Sequence, residues 1–276
     1  MEMMLPETRS PLIERLVREF ARGVRGTAEP ILDPVELADA CGITDLDLWQ
    51  RNLLTSTASQ QIMLCSRQSG KSLCAAIKSL HVAISEPGSL TLVVAPAMRQ
   101  AQELFGKVKS LLSALGPRTP ALRRESALAL TLVSGSRIVV IPGEERTVRG
   151  FSSVRLLCVD EAARVPDALY QSLRPMLAVS QGSLVALSTP FGRRGWFFQE
   201  WETGTDWERV KVTASECPRI DPAWLAAERE RIGEWWYRQE YLCEFVQTND
   251  SLFNEPDIRA AFSTDIQPLF AEGETL

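Results

Sequence analysis

Residues Gln61-Ile62-Met63-Leu64-Cys65-Ser66-Arg67-Gln68-Ser69-Gly70-Lys71-Ser72 pass from an unbroken apolar run into a polar loop ending in Gly-Lys-Ser. The apolar run predicts a strand covered on both faces, and residues 72–84 that follow predict a helix. Strand, loop and helix in this order suit phosphate: amides at the helix start cradle its oxygens, a lysine reaches the β and γ phosphates, and a serine hydroxyl enters a Mg²⁺ shell. Gly70, Lys71 and Ser72 fit those roles, with Ser72 also a candidate metal ligand. The pattern G-x-x-x-x-G-K-[ST] is incomplete, because Cys65 stands where the first glycine belongs.

Working outward, short apolar runs keep alternating with helical stretches. Residues 90–95 predict a buried strand, 98–115 a helix, and 127–132 with 137–140 a hairpin that turns at Ser134-Gly135. Further strands are expected over 154–159, 183–187 and 209–213, with a helix near 194–203. Apolar strands interleaved with helices imply an α/β fold, with a mostly parallel central sheet sandwiched by helices. On the N-terminal side, residues 10–22 and 34–40 carry helix signals, separated by Gly23, Gly26 and Pro30. Residues 222–245 read as helical and tryptophan-rich. The expected division is a helical extension over 1–48, a nucleotide-binding core over 49–215, a helical lid over 216–246 and a linker over 247–276.

Two strand ends carry further chemistry. The run over 154–159 delivers Asp160-Glu161, consecutive carboxylates of the kind that hold Mg²⁺ and polarise an attacking water in phosphate-loop hydrolases. Acids decorating a helix N-terminus are the other reading. The pair lies 89 residues beyond Lys71, and the presence of both signals argues for a site. The strand over 183–187 ends in Ser188-Thr189-Pro190, which sets two hydroxyls at the carboxyl edge of the sheet, where open α/β sheets bind ligands. An ordinary strand-end turn would look the same.

Composition limits the alternatives. The chain has 276 residues, 45% of them hydrophobic, and a net charge of -5, so indiscriminate coating of nucleic acid is excluded and any such contact must be local. A lone histidine, His81, without a second His or a close Cys partner, argues against a zinc site and against a His-based triad. Six single cysteines without a Cys-x-x-Cys pair read as reduced core thiols. No run approaches the ~18 apolar residues of a membrane span, and the first residues lack a signal-peptide pattern, so a soluble intracellular protein is expected.

The three elements in this order, with Leu48-Trp49-Gln50-Arg51 upstream and Arg238-Gln239-Glu240-Tyr241-x-x-x-Phe245 downstream, resemble the large terminase subunit of tailed bacteriophages, a DNA-packaging motor. The resemblance runs from about residue 32 to residue 245, and the variant first position of the loop is normal in that family. It implies a Mg²⁺-dependent ATPase whose nucleotide contacts are Gln50, Ser66, Arg67, Gln68, Ser69, Gly70, Lys71, Ser72 and Thr189. Gln50 then reads the adenine edge; otherwise it is a surface helix residue. Arg67 is implied as a γ-phosphate sensor, Asp160 as the Mg²⁺-associated acid, Glu161 as the catalytic carboxylate and Ser188-Thr189 as the coupling motif. Arg149 resembles the arginine that neighbouring subunits insert into each other's sites in some members, which would make turnover depend on ring assembly.

The implied partners are double-stranded DNA, further copies in a homo-oligomeric ring, the portal protein and the small terminase subunit, in the cytoplasm of the infected host. Family members normally continue into a nuclease domain, which the roughly thirty residues after Phe245 cannot build, so ATP hydrolysis without DNA cleavage is expected. For DNA, the candidate stripe is Arg99, Lys107, Lys109, Arg118, Arg123 and Arg124, with Arg193-Arg194 a weaker one; a solvated helix face is the competing reading. A DEAD-box-like helicase half and a nucleotide-gated DNA-binding switch are the competing functions.

Overall fold

The computed structural model describes residues 33–143, 150–246 and 261. Asp33 opens helix α1 (Pro34–Ala40) by accepting at Oδ1 from the Val35 amide at 2.6 Å, and Pro34 occupies a first-turn position that needs no amide donor. Helix α2 (Leu48–Thr55) starts where Gln50 Oε1 accepts from the Asp47 amide at 2.8 Å. There follow β1 (Gln60–Cys65), α3 (Lys71–Ser85), β2 (Leu90–Ala95), α4 (Met98–Ala114), β3 (Leu122–Glu125), β4 (Ala129–Leu132) and β5 (Arg137–Pro142). Beyond residue 150 come β6 (Leu156–Asp160), α5 (Asp167–Leu173), β7 (Ser183–Ser188), α6 (Gly195–Glu202), β8 (Glu208–Val212), α7 (Pro222–Ile232) and α8 (Glu234–Glu240).

The strands form one sheet in the order β3-β4-β5-β2-β6-β7-β1-β8. The pairs from β5 to β8 are parallel, while β3–β4 and β4–β5 are antiparallel. Alternate strand residues serve opposite faces. Met63, Cys65, Val93, Cys158 and Val185 pack under α1 to α4, and Ile62, Leu64, Leu92, Val159 and Ala186 pack against Tyr170, Trp196 and Phe197. Register then positions the site: Leu64 pairs with Ser188, and Asp160 with Leu187, so the ends of β1, β6 and β7 lie side by side.

The expected α/β architecture, parallel strands and β4–β5 hairpin are all present. Three elements were not read from sequence: α2, α5 and the edge strand β3. All four residues of β3 are exposed, so no apolar alternation marks it, and it falls within the segment read as a basic stripe. The expected helix over 10–22 lies outside the described residues, as does nearly all of 247–276. All six cysteines are free, and all but Cys41 are buried. Among the described residues, no helix is long and apolar enough to cross a membrane.

Candidate nucleotide-binding site

The loop between β1 and α3 is fixed from below and from the C-terminal side. Ser69 Oγ donates to the Ser66 carbonyl at 2.9 Å, and both serines are fully buried. The Ser66 amide donates to Val212 O at 2.9 Å and the Arg67 amide to Glu240 O at 3.1 Å, which ties the loop to β8 and to the end of α8. Gly70 has φ +94°, and a Cβ there would lie 2.5 Å from Gln50 Nε2. The amides of Gly70, Lys71 and Ser72 find no acceptor among the described residues, as expected at the first turn of a helix. Three converging N–H donors make this turn an anion cradle.

The facing wall is the end of β6. Ser72 Oγ donates to Asp160 Oδ2 at 2.7 Å, and Lys71 Nζ lies 3.2 Å from Glu161 Oε1. Glu161 adopts the left-handed conformation (φ 50°, ψ 43°), which turns the chain out of the strand, and its amide donates to Asp160 Oδ1 at 3.1 Å. Burial pushes the Asp160 carboxyl up, helped by the neighbouring Glu161 charge and opposed by the Ser72 hydroxyl. A buried carboxylate beside a serine hydroxyl is a hard oxygen pair, which fits Mg²⁺ taking its remaining ligands from phosphate and water. Ser188 Oγ accepts from the Ala163 amide at 3.1 Å, so the end of β7 holds the turn that follows Glu161. Thr189 is buried next to it in the chain.

Gln50 is a buried residue at 2% exposure, which removes the surface-helix reading. Its Nε2 donates to Ser69 O at 3.1 Å while its Oε1 takes the Asp47 amide, so the carboxamide keeps one N–H and one lone pair free. Arg67 is an exposed residue whose Nε meets Glu240 Oε2 at 2.5 Å. Gln68 is also exposed, at positive φ. Arg149 lies outside the described residues.

Three contributors escaped the sequence reading. Asp47 was legible as the first residue of a capping box with Gln50. Glu240 stands in the quoted Arg-Gln-Glu-Tyr run but carried no role. Arg219, which donates to both Asp47 carboxylate oxygens at 2.8 and 2.7 Å and to Ser69 O at 3.2 Å, has no sequence signal.

The basic stripe is exposed throughout, but Arg99 pairs with Glu103 and Lys109 with Glu125. Those acids, one on α4 and one on β3, lower its free charge. Arg193 Nε donates to Phe245 O, and Arg194 lies over the Phe191 ring.

A family model described as the terminase large subunit, T4-like-virus type, N-terminal, matches residues 62–260. The chain is 28% identical over 239 residues to the large terminase subunit of Thermus phage G20c, covering 74% of this chain and 49% of that protein. To the large terminase subunit of Escherichia phage T5 it is 27% identical over 214 residues, covering 74% and 48%. It thus spans about half the length of the curated relatives it matches. Among solved structures, the large terminase ATPase domain of Thermus phage P74-26 superposes with a TM-score of 0.68 at 24% identity, covering 76% of this chain and 98% of that one. The large terminase of another thermophilic bacteriophage, in complex with ADP, superposes with a TM-score of 0.61 at 14% identity, covering 73% and 54%. These likenesses show the fold. Because the matched stretch takes in well over half of the sequence, the chain belongs to the large terminase subunit family, in its T4-like-virus-type N-terminal region.

Proposed function

We propose that this chain is the ATPase motor domain of a viral large terminase subunit, coupling Mg²⁺-dependent ATP hydrolysis to movement of double-stranded DNA into a procapsid. The carrying observation is the double contact across the loop, Ser72 to Asp160 at 2.7 Å and Lys71 to Glu161 at 3.2 Å. The amides of Gly70, Lys71 and Ser72 bind the phosphates, with Ser66 to Ser69 shaping the loop. Ser72 and Asp160 would hold Mg²⁺, which when bound neutralises charge on the β and γ oxygens. Lys71 exchanges Glu161 for phosphate, and the released Glu161 carboxylate orients the attacking water and accepts its proton. The large terminase from the thermophilic bacteriophage compared above has been solved with ADP and with ATP-gamma-S.

The remaining roles are those that the resemblance implies. Gln50 keeps one donor and one acceptor for the adenine edge. Arg67 senses the γ-phosphate after leaving Glu240. Ser188 and Thr189 relay the state of the site from β7 to the turn after Glu161. Arg149 completes the neighbouring site in a ring of copies that works with the portal protein and the small terminase subunit.

Glu161→Ala tests the reading. Affinity for ATP is expected to stay within about threefold while turnover falls by roughly 10² or more; retained turnover would overturn the assignment. The trans role of Arg149 predicts a specific rate that rises with protein concentration and collapses in Arg149→Ala, and a flat rate unaffected by the mutation would remove it.

A further inference from the structure

The Ser69–Gly70 peptide has its carbonyl held by two side chains from distant parts of the chain. Ser69 O accepts from Gln50 Nε2 at 3.1 Å and from Arg219 Nη2 at 3.2 Å. The described chain contains no cis peptide. In a trans peptide the carbonyl and the following N–H point in opposite directions, so fixing the Ser69 carbonyl toward Gln50 and Arg219 turns the Gly70 N–H away from them. The Gly70 amide is also one of the three donors at the start of α3 without a partner among the described residues, and so is left for a phosphate oxygen.

Arg219 is well placed to do this. It follows the short turn over Ala214–Glu216 and precedes α7. Its two terminal nitrogens grip the Asp47 carboxylate in the bidentate manner that only a planar guanidinium provides, and Nη2 then also reaches Ser69 O. The Asp47 side chain is 8% exposed, and Asp47 is the residue from which α2, and hence Gln50, starts. One side chain therefore joins the start of α2, the loop and the approach to α7.

We propose that Arg219 is a positioning residue for nucleotide binding: it holds the Ser69–Gly70 peptide in the orientation that aims the Gly70 amide at phosphate. It thereby links the seating of the α7–α8 unit to the affinity of the loop. The proposal rests on the nucleotide-binding reading above.

The test compares the unaltered chain with Arg219→Ala and Arg219→Lys, reading affinity for a fluorescent ATP analogue, KM, kcat and thermal midpoint. Arg219→Ala is expected to raise Kd and KM about tenfold while kcat changes less than threefold. Arg219→Lys is expected to recover only part of the loss, since one ammonium cannot hold both Asp47 oxygens and Ser69 O together. A residue that only staples the fold would lower the midpoint and leave Kd and KM unchanged in the folded variant. Kd and KM within twofold of the unaltered chain, or full recovery by Arg219→Lys, overturn the proposal; if Arg219→Ala does not fold, Arg219→Lys alone decides by the same criterion. An unaltered chain that binds no analogue overturns the nucleotide-binding reading itself, and this proposal with it.

Discussion

Arg67 and Glu240 meet twice, through a side-chain contact of 2.5 Å and through the Arg67 amide, which donates to Glu240 O at 3.1 Å. The Glu240 side chain is 8% exposed, and its carboxylate accepts from this arginine and from Gln239 Nε2 at 3.2 Å. Arg67→Ala is expected to lower stability by about 1–3 kcal/mol, the cost of leaving a buried acceptor short of its partner. Arg67→Ala with Glu240→Gln should recover most of that, as measured by urea unfolding. Equal losses in the single and double variants would show that the ion pair does not hold α8 to the loop.

Gly70→Ala meets two obstacles, a φ of +94° and a Cβ 2.5 Å from Gln50 Nε2. The strained backbone costs about 1–3 kcal/mol and the crowding displaces Gln50 from the loop. Nucleotide affinity should fall at least tenfold. Gly182→Ala is the control, because its Cβ would lie 2.1 Å from Val154 O, beside β6 and β7 and away from the loop. That variant should lose stability by about 1–3 kcal/mol, with ATP affinity intact at temperatures where it stays folded.

Lys78 closes the C-terminal end of α2. Its buried ammonium donates to Leu53 O at 2.8 Å, more weakly to the carbonyls of Leu54 and Ser56, and to Gln61 Oε1 at 3.0 Å. Lys78→Met should destabilise the chain by about 1–3 kcal/mol, because those carbonyls lose their donor. Burial also holds the Lys78 pKa below its ordinary 10.5. The unfolded chain therefore binds more protons between the lowered value and 10.5. This contribution to stability is present above 10.5 and lost as pH falls through the folded value. The stability difference between the unaltered chain and Lys78→Met should accordingly widen as pH rises across that window in parallel unfolding titrations.

Burial drives the thiols of Cys74, Cys158 and Cys243 up to about 12, against an ordinary 9.0. The fold keeps these protons where the unfolded chain would release them, so their contribution is complete below pH 9 and lost as pH rises from 9 toward 12. Stability should fall on that limb, and less steeply when the three positions are alanine. Under native conditions a small alkylating reagent should reach Cys41 first, since it is the one cysteine that is not buried. Rapid loss of several thiols in the native state would contradict the packing.

What could be read in advance depended on the kind of signal. Strands β1, β2, β6 and β7 are buried on both faces, and their unbroken apolar runs were visible for that reason. Ser72 and Asp160 were found because each sits directly at an element boundary, where composition changes abruptly. Arg219 sits in a stretch that no pattern marks, and Glu240, although it stands in the quoted Arg-Gln-Glu-Tyr run, gives no sign there of its partner; only the fold brings both to the loop. Helix α2 is short, and its buried glutamine and exposed Leu48 invert the usual amphipathic pattern. Arg149 and the segment around it lie outside the described residues, so its assignment still rests on the resemblance.

The position of β1 between β7 and β8 sets a timetable for synthesis. Gln61 hydrogen-bonds Glu208, a residue made 147 positions later. A nascent chain on the ribosome has the phosphate loop long before it has either strand that flanks β1, and the apolar run Ile62–Cys65 must wait with an open edge until β8 emerges. A product that stops short of residue 212 would leave β1 as an open edge prone to aggregation.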